Sequence, residues 1–171
     1  MIDNIKKKNV DFQKDVSENK ELSDRLNKLS KGQKPHTIVI TCSDSRVIPE
    51  YIFKVSFGEL FVIRTAGNVI NSGELGTIEY GICHLGIRDI IVMGHTSCGA
   101  IHAALENECG KYVNNILDVI KNNIKDIKDE GLASIENAKS VALYIKEKFP
   151  DYELNVVSCL YDIKSGSIHW Q

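Results

Sequence analysis

Two short polar segments interrupt apolar stretches of the chain, Cys42-Ser43-Asp44-Ser45-Arg46 and His95-Thr96-Ser97-Cys98-Gly99. Together they offer two thiols, an imidazole, a carboxylate and a guanidinium. Two thiolates and an imidazole nitrogen are the donor set of a tetrahedral zinc site that keeps a fourth position for water. A neighbouring carboxylate adds a hydrogen-bond acceptor, and a guanidinium can hold it by two charge-assisted bonds. Either segment alone is weak evidence. His-x-x-Cys arises by chance in many chains, and Cys42 by itself reads equally well as a small buried hydrophobe at the end of a strand. The consecutive polar residues Ser43, Asp44, Ser45 and Arg46 weigh against that reading, because buried polar groups need partners and a packed core would want none of them.

Each segment follows a stretch that reads as a buried strand. His36 to Thr41 (HTIVIT) is β-branched and apolar after a turn at Gly-Gln-Lys-Pro, and Asp89 to Met93 (DIIVM) has the same character. Leu60 to Thr65 and Leu154 to Leu160 add two further strands, and Gly166 to Trp170 reads as a short edge strand. Helical patterns run from Gly73 to Leu85, from Cys98 to Leu105, from Tyr112 to Lys128 and from Ser134 to Phe149. Residues Asp3 to Leu29 suggest one or two amphipathic helices, interrupted near Ser17, and Glu106 to Gly110 an exposed loop. This alternation predicts an α/β fold, with a mostly parallel central sheet of about four parallel strands plus a short edge strand, flanked by helices, with extending N-terminal helices. Residues 1–171 read as one domain whose residues 1–31 form an N-terminal helical arm. In such a sheet, groups at the carboxyl ends of strands converge on a crevice, so the two polar segments can meet in space.

Composition narrows the function. The 171 residues carry a formal net charge of -2, with 43% apolar and 26% charged residues. That is ordinary globular composition, and it leaves no basic excess for nucleic acid. The amino-terminal residues lack the continuous apolar core of a signal peptide, and no apolar run is long enough to span a membrane, so a cytoplasmic protein with no membrane partner is expected. The five cysteines form no regular framework for disulfides. Besides Cys42 and Cys98, Cys83 and Cys159 are expected to be buried and inert, and Cys109 to be a loop thiol. No G-x-G-x-x-G follows the first strand and no P-loop occurs, which argues against a nucleotide-binding domain.

The segments CSDSR and HTSCG, within GQKPHTIVITCSDSRVIPE, GELFVIRTAGN and GTIEYGICHLGIRDIIVMGHTSCGA, resemble the β-class carbonic anhydrases, with a weaker echo in VVSCLYDIKSG. The resemblance implies zinc-dependent reversible hydration of carbon dioxide to bicarbonate and a proton. It also implies one Zn2+ per chain on Cys42, His95 and Cys98, and a catalytic dyad of Asp44 and Arg46. It further implies a homodimer, or a dimer of dimers, with exchanged amino-terminal helices. Gln33 matches a glutamine that reaches the substrate pocket across the dimer interface, and Phe61 and Tyr80 match aromatic residues that wall it. Ala66 stands where some members have valine, and Gly99 would turn a backbone N–H towards substrate oxygen. On residue type alone, Phe61 and Tyr80 read as core and Gln33 as a turn residue before Pro35. One branch of the family shuts its site by bringing the aspartate onto the metal. This chain keeps Arg64, which matches an arginine of that branch, but has Val39 in place of its tryptophan, and the open branch is expected. Two alternatives share the donor set: a hydrolase of carbonyl sulfide or carbon disulfide, and a non-catalytic zinc-stabilised module in which Asp44 is a permanent ligand. No histidine is singled out as a proton shuttle, and His84 and His102 read as packing or surface residues.

Overall fold

In the computed structural model, which describes residues 1–171, the β-branched run Thr37–Cys42 forms β1, and all six of its residues are buried. A strand covered on both faces belongs in the interior of a parallel sheet. Accordingly, β1 pairs in parallel with β2 (Leu60–Thr65) on one side and with β3 (Asp89–His95) on the other. β4 (Asn155–Tyr161) continues the parallel sheet beside β3, and β5 (Ile168–Trp170) closes it antiparallel. The order is β2-β1-β3-β4-β5, so four parallel strands and one short antiparallel edge strand are present, as the sequence leads one to expect. The edge strand begins two residues later than its pattern suggests, because Gly166 adopts φ 75° and its N–H closes a turn onto the Asp162 carbonyl.

Two compact units are present, Met1–Lys34 and Pro35–Gln171. The first consists of α1 (Ile2–Glu18) and α2 (Lys20–Leu29), neither with a buried residue. The break falls at Asn19 rather than near Ser17. Asn19 is extended, and its side chain accepts from the Leu22 N–H, so it stops one helix and caps the next.

In the second unit, α3 (Pro49–Ile52) is a single turn, too short to show a sequence period, initiated by Pro49 in its first turn. α4 (Ser72–Cys83) opens on a capping box between Asn71 and Glu74. α5 (Gly99–Leu105) gives way to the exposed 106–109 segment, and α6 (Asn114–Ile124) ends where Lys125 turns to φ 50°. α7 (Glu130–Lys148) starts four residues earlier than its apolar pattern suggests, because Asp129 caps it by accepting from the Leu132 N–H. No helix is long and apolar enough to cross a membrane.

Side chains alternate across the sheet. Ile38 and Ile40 face a core shared with Ile78 and Ile82 of α4 and with Val141 and Ile145 of α7. Val39 and Met93 face the opposite side with Val47 and Cys159. A further cluster, of Ile101, Leu117, Ile120 and Ile124, closes over Cys42 and Cys98. Cys159 is buried and Cys109 exposed, as expected, but Cys83 is not the buried residue its position suggested. It lies at the last turn of α4 on the exposed face, with its sulfur 3.1 Å from the Tyr152 hydroxyl.

Candidate metal centre

The strand order positions the site. The chain passes from β1 to β2 on one side and then places β3 on the other, and the carboxyl ends of two strands that diverge in this way open a crevice. Cys42 ends β1, His95 ends β3, and Cys98 lies just before α5. All three are buried, and their donor atoms lie within 4.8 Å of one another.

The two sulfurs are 3.9 Å apart. Zinc–sulfur bonds of about 2.3 Å at tetrahedral angles set two sulfurs about 3.8 Å apart, so the pair already has the spacing that zinc requires. His95 Nδ1 lies 2.9 Å from the Thr96 carbonyl, which can only accept, so Nδ1 carries the proton and Nε2 keeps its lone pair. Nε2 is buried without a hydrogen-bond partner in the protein. An orphaned acceptor beside two thiols is costly in a packed interior and is explained by a cation among them. The donor set therefore fits zinc.

Without a cation the two thiols shift each other's ionisation in opposite directions. A hydrogen bond from Cys98 draws the Cys42 thiol well below its usual range against the opposing effect of burial, while the same bond and its own burial push Cys98 up. Burial disfavours a charged His95, but the Cys42 sulfur, the Thr96 carbonyl and the Asp44 carboxylate together leave it above its ordinary value. Metal binding would displace these protons.

Asp44 stands beside the donors, its Oδ2 4.0 Å from His95 Nε2. The Arg46 side chain takes both carboxylate oxygens, with Nε donating to Oδ1 at 2.9 Å and Nη2 to Oδ2 at 2.7 Å, and the Arg46 backbone N–H adds a third bond to Oδ1. Nη2 also donates to the Ser97 carbonyl, presented by a residue at φ 54°. Arg64 donates to the carbonyls of Cys42 and Asp44, bracing the backbone of the first segment. Val39, in the middle of β1, is fully buried.

Ala66 and Gly99 flank the cluster in the chain: Ala66 precedes Gly67, whose N–H donates to Cys42 Sγ at 3.3 Å, and Gly99 follows Cys98. Phe61 and Tyr80 are not brought to Cys42 within one chain. Phe61 pairs with Ile38, four residues before Cys42, about 13 Å along the sheet. Its ring lies 6.2 Å from that of half-exposed Tyr80. Gln33 is exposed and belongs to the unit Met1–Lys34. Gly67 and its partner Asn137 are not among the site residues the sequence singles out. The signals they offer are a glycine two residues past the end of a strand and an amide at an apolar position of a helical stripe.

The family profile described as carbonic anhydrase matches residues 37–149. The solved structure of the β-carbonic anhydrase CcaA superposes with a TM-score of 0.79 at 28% identity, covering 96% of this chain and 86% of that one. The chain belongs to the β-class carbonic anhydrases. Carbonic anhydrase 2 of Mycobacterium tuberculosis is 35% identical over 155 residues, or 81% of this chain and 75% of that protein. One of two tetrameric β-carbonic anhydrases from Sordaria macrospora superposes with a TM-score of 0.76 at 26% identity, covering 98% of this chain and 94% of that one. As a β-class carbonic anhydrase, the chain is an enzyme.

Proposed function

We propose that this carbonic anhydrase catalyses the zinc-dependent, reversible hydration of carbon dioxide to bicarbonate and a proton, with one Zn2+ per chain held by Cys42, His95 and Cys98. The observation that carries the reading is the buried, partnerless His95 Nε2 beside two sulfurs at tetrahedral spacing. Zinc bound there would supply the positive charge that makes a water acidic enough to yield hydroxide near neutral pH.

The chain's own groups supply the rest. Arg46 keeps Asp44 ionised and turned towards itself, so the carboxylate stays out of the ligand shell. A remaining lone pair of Asp44 accepts a hydrogen bond from the attacking oxygen and so aims its free pair at the carbon of carbon dioxide. Gly99 donates its backbone N–H to a substrate oxygen, and Ala66 leaves a slightly wider pocket wall than valine would. The product proton passes to buffer.

Residues 1–171 act as one catalytic domain with residues 1–31 as an oligomerisation arm, in a homodimer or a dimer of dimers. Two features support this assembly: the tetrameric relative, and helices α1 and α2 without a buried residue. In that assembly Gln33, Phe61 and Tyr80 would serve the pocket of a second copy, which is consistent with the distance of Phe61 from Cys42 in its own chain.

The test is stopped-flow carbon dioxide hydration with zinc content measured on the same sample. Zinc near one per chain with hydration above background is expected, and Cys42→Ser or His95→Ala should lose both together. Zinc-loaded protein that leaves hydration at background would overturn the reading.

A further inference from the structure

The inward face of α7 runs through Ser134, Asn137, Ala138, Val141, Ala142 and Ile145, a helical stripe in which Asn137 is a fully buried carboxamide. Such a group is retained only where its donor and acceptor are matched. Asn137 Nδ2 donates to the Gly67 carbonyl at 2.8 Å, and its Oδ1 accepts from Asn123 Nδ2 of α6 at 2.9 Å. The Gly67 carbonyl can only accept, which fixes the NH2 end of the amide towards it and leaves Oδ1 to face Asn123.

Gly67 needs this anchor. It sits in the turn after β2 at φ 64°, and its N–H is the donor to Cys42 Sγ. A Cβ there would lie 2.8 Å from Ile120 Cδ1 and 3.1 Å from Ala100 Cβ, so neither the backbone angle nor the space admits a side chain. A residue restricted to glycine is also the most freely rotating in the chain, and an N–H···S bond depends on direction. With its carbonyl pinned on one side, Gly67 presents its N–H to the sulfur on the other. The Thr65 hydroxyl, bonded to the Val69 carbonyl at 2.7 Å, closes the same turn.

We propose that Asn137 is a positioning residue of the metal centre, which acts through Gly67 to hold the backbone N–H that orients the Cys42 sulfur. This rests on the reading of Cys42 as a metal ligand. Groups that orient ligands are commonly worth tenfold to a hundredfold in metal affinity, and N–H···S bonds also moderate how much charge the sulfur gives to the metal.

The experiment measures zinc affinity by competition with a chromophoric chelator, and the sulfur-to-metal charge-transfer absorption of the cobalt-substituted protein. Asn137→Asp keeps the size and replaces the donor with an acceptor facing a carbonyl, whereas Asn137→Ala removes both bonds. Each should weaken zinc binding about 10- to 100-fold and shift the cobalt–thiolate band. Asn123→Ala, at a partly buried position, should give a smaller change in the same direction and decides the matter if the Asn137 variants do not fold. Val156→Ala, at the amino end of β4, is the control for lost stability and should leave both readouts as in wild type. Asn137 variants, or Asn123→Ala in their place, with unchanged affinity and an unchanged cobalt spectrum would overturn the proposal, as would an equal loss of affinity in Val156→Ala. A wild-type chain that takes up neither zinc nor cobalt would instead overturn the ligand assignment on which the proposal stands.

Discussion

Asp44 carries its charge because Arg46 offers three N–H groups to its two oxygens, which holds the carboxyl well below the usual carboxylate range. Asp44→Asn keeps the shape and removes the acceptor charge. Zinc content should stay at the wild-type level while kcat falls about 100-fold or more, as metal analysis and stopped-flow hydration on one sample would show. The thiols outside the site differ by exposure. Cys83 and Cys109 are exposed and should react with a thiol reagent in the native protein, whereas Cys159 should react only after unfolding. Burial pushes the Cys159 thiol up to about 12. Because the folded value is the higher one, the stability linked to it is complete below the unfolded pKa, about 8.5, and is lost as pH rises through the folded value. Unfolding midpoints should therefore fall between about pH 9 and 12, and Cys159→Ala should flatten that limb by up to about 1.4 kcal/mol per pH unit.

At the scale of elements, α7 reaches the sheet by a close approach at Gly94, the residue before His95. A Cβ on Gly94 would stand 2.9 Å from the backbone oxygen of Ser134 and would push helix and strand apart. Gly94→Ala should cost about 1–3 kcal/mol, which calorimetry would register as a Tm lowered by about 2–12 °C. Element boundaries are less legible in the sequence than the elements themselves. The start of α7 is decided by a carboxylate at Asp129 and the break between α1 and α2 by an amide at Asn19, both single-residue capping events set against a broad apolar pattern. The one-turn α3 has no room for a period and left only its proline as a signal.

On the scale of the whole chain, α1 and α2 bury no residue, whereas β1 is buried along its entire length. Hydrogen exchange should find amides of residues 2–29 exchanging far faster than those of β1 in dilute protein, and the proposed oligomerisation arm predicts protection that rises with concentration. The sequence by itself determined the strands and the donor types. β-branched runs favour strands through contacts a few residues away, and two thiols with an imidazole are soft donors whatever fold holds them. Tertiary structure alone decided that β1 and β3 are neighbours, that His95 Nε2 is left without a protein partner, that Asn137 holds Gly67, and that Cys83 faces outwards while Phe61 lies far along the sheet from Cys42. Each of these depends on strand order and on which surfaces the packed helices cover, and those follow from burial summed over the whole chain rather than from any local stretch of it.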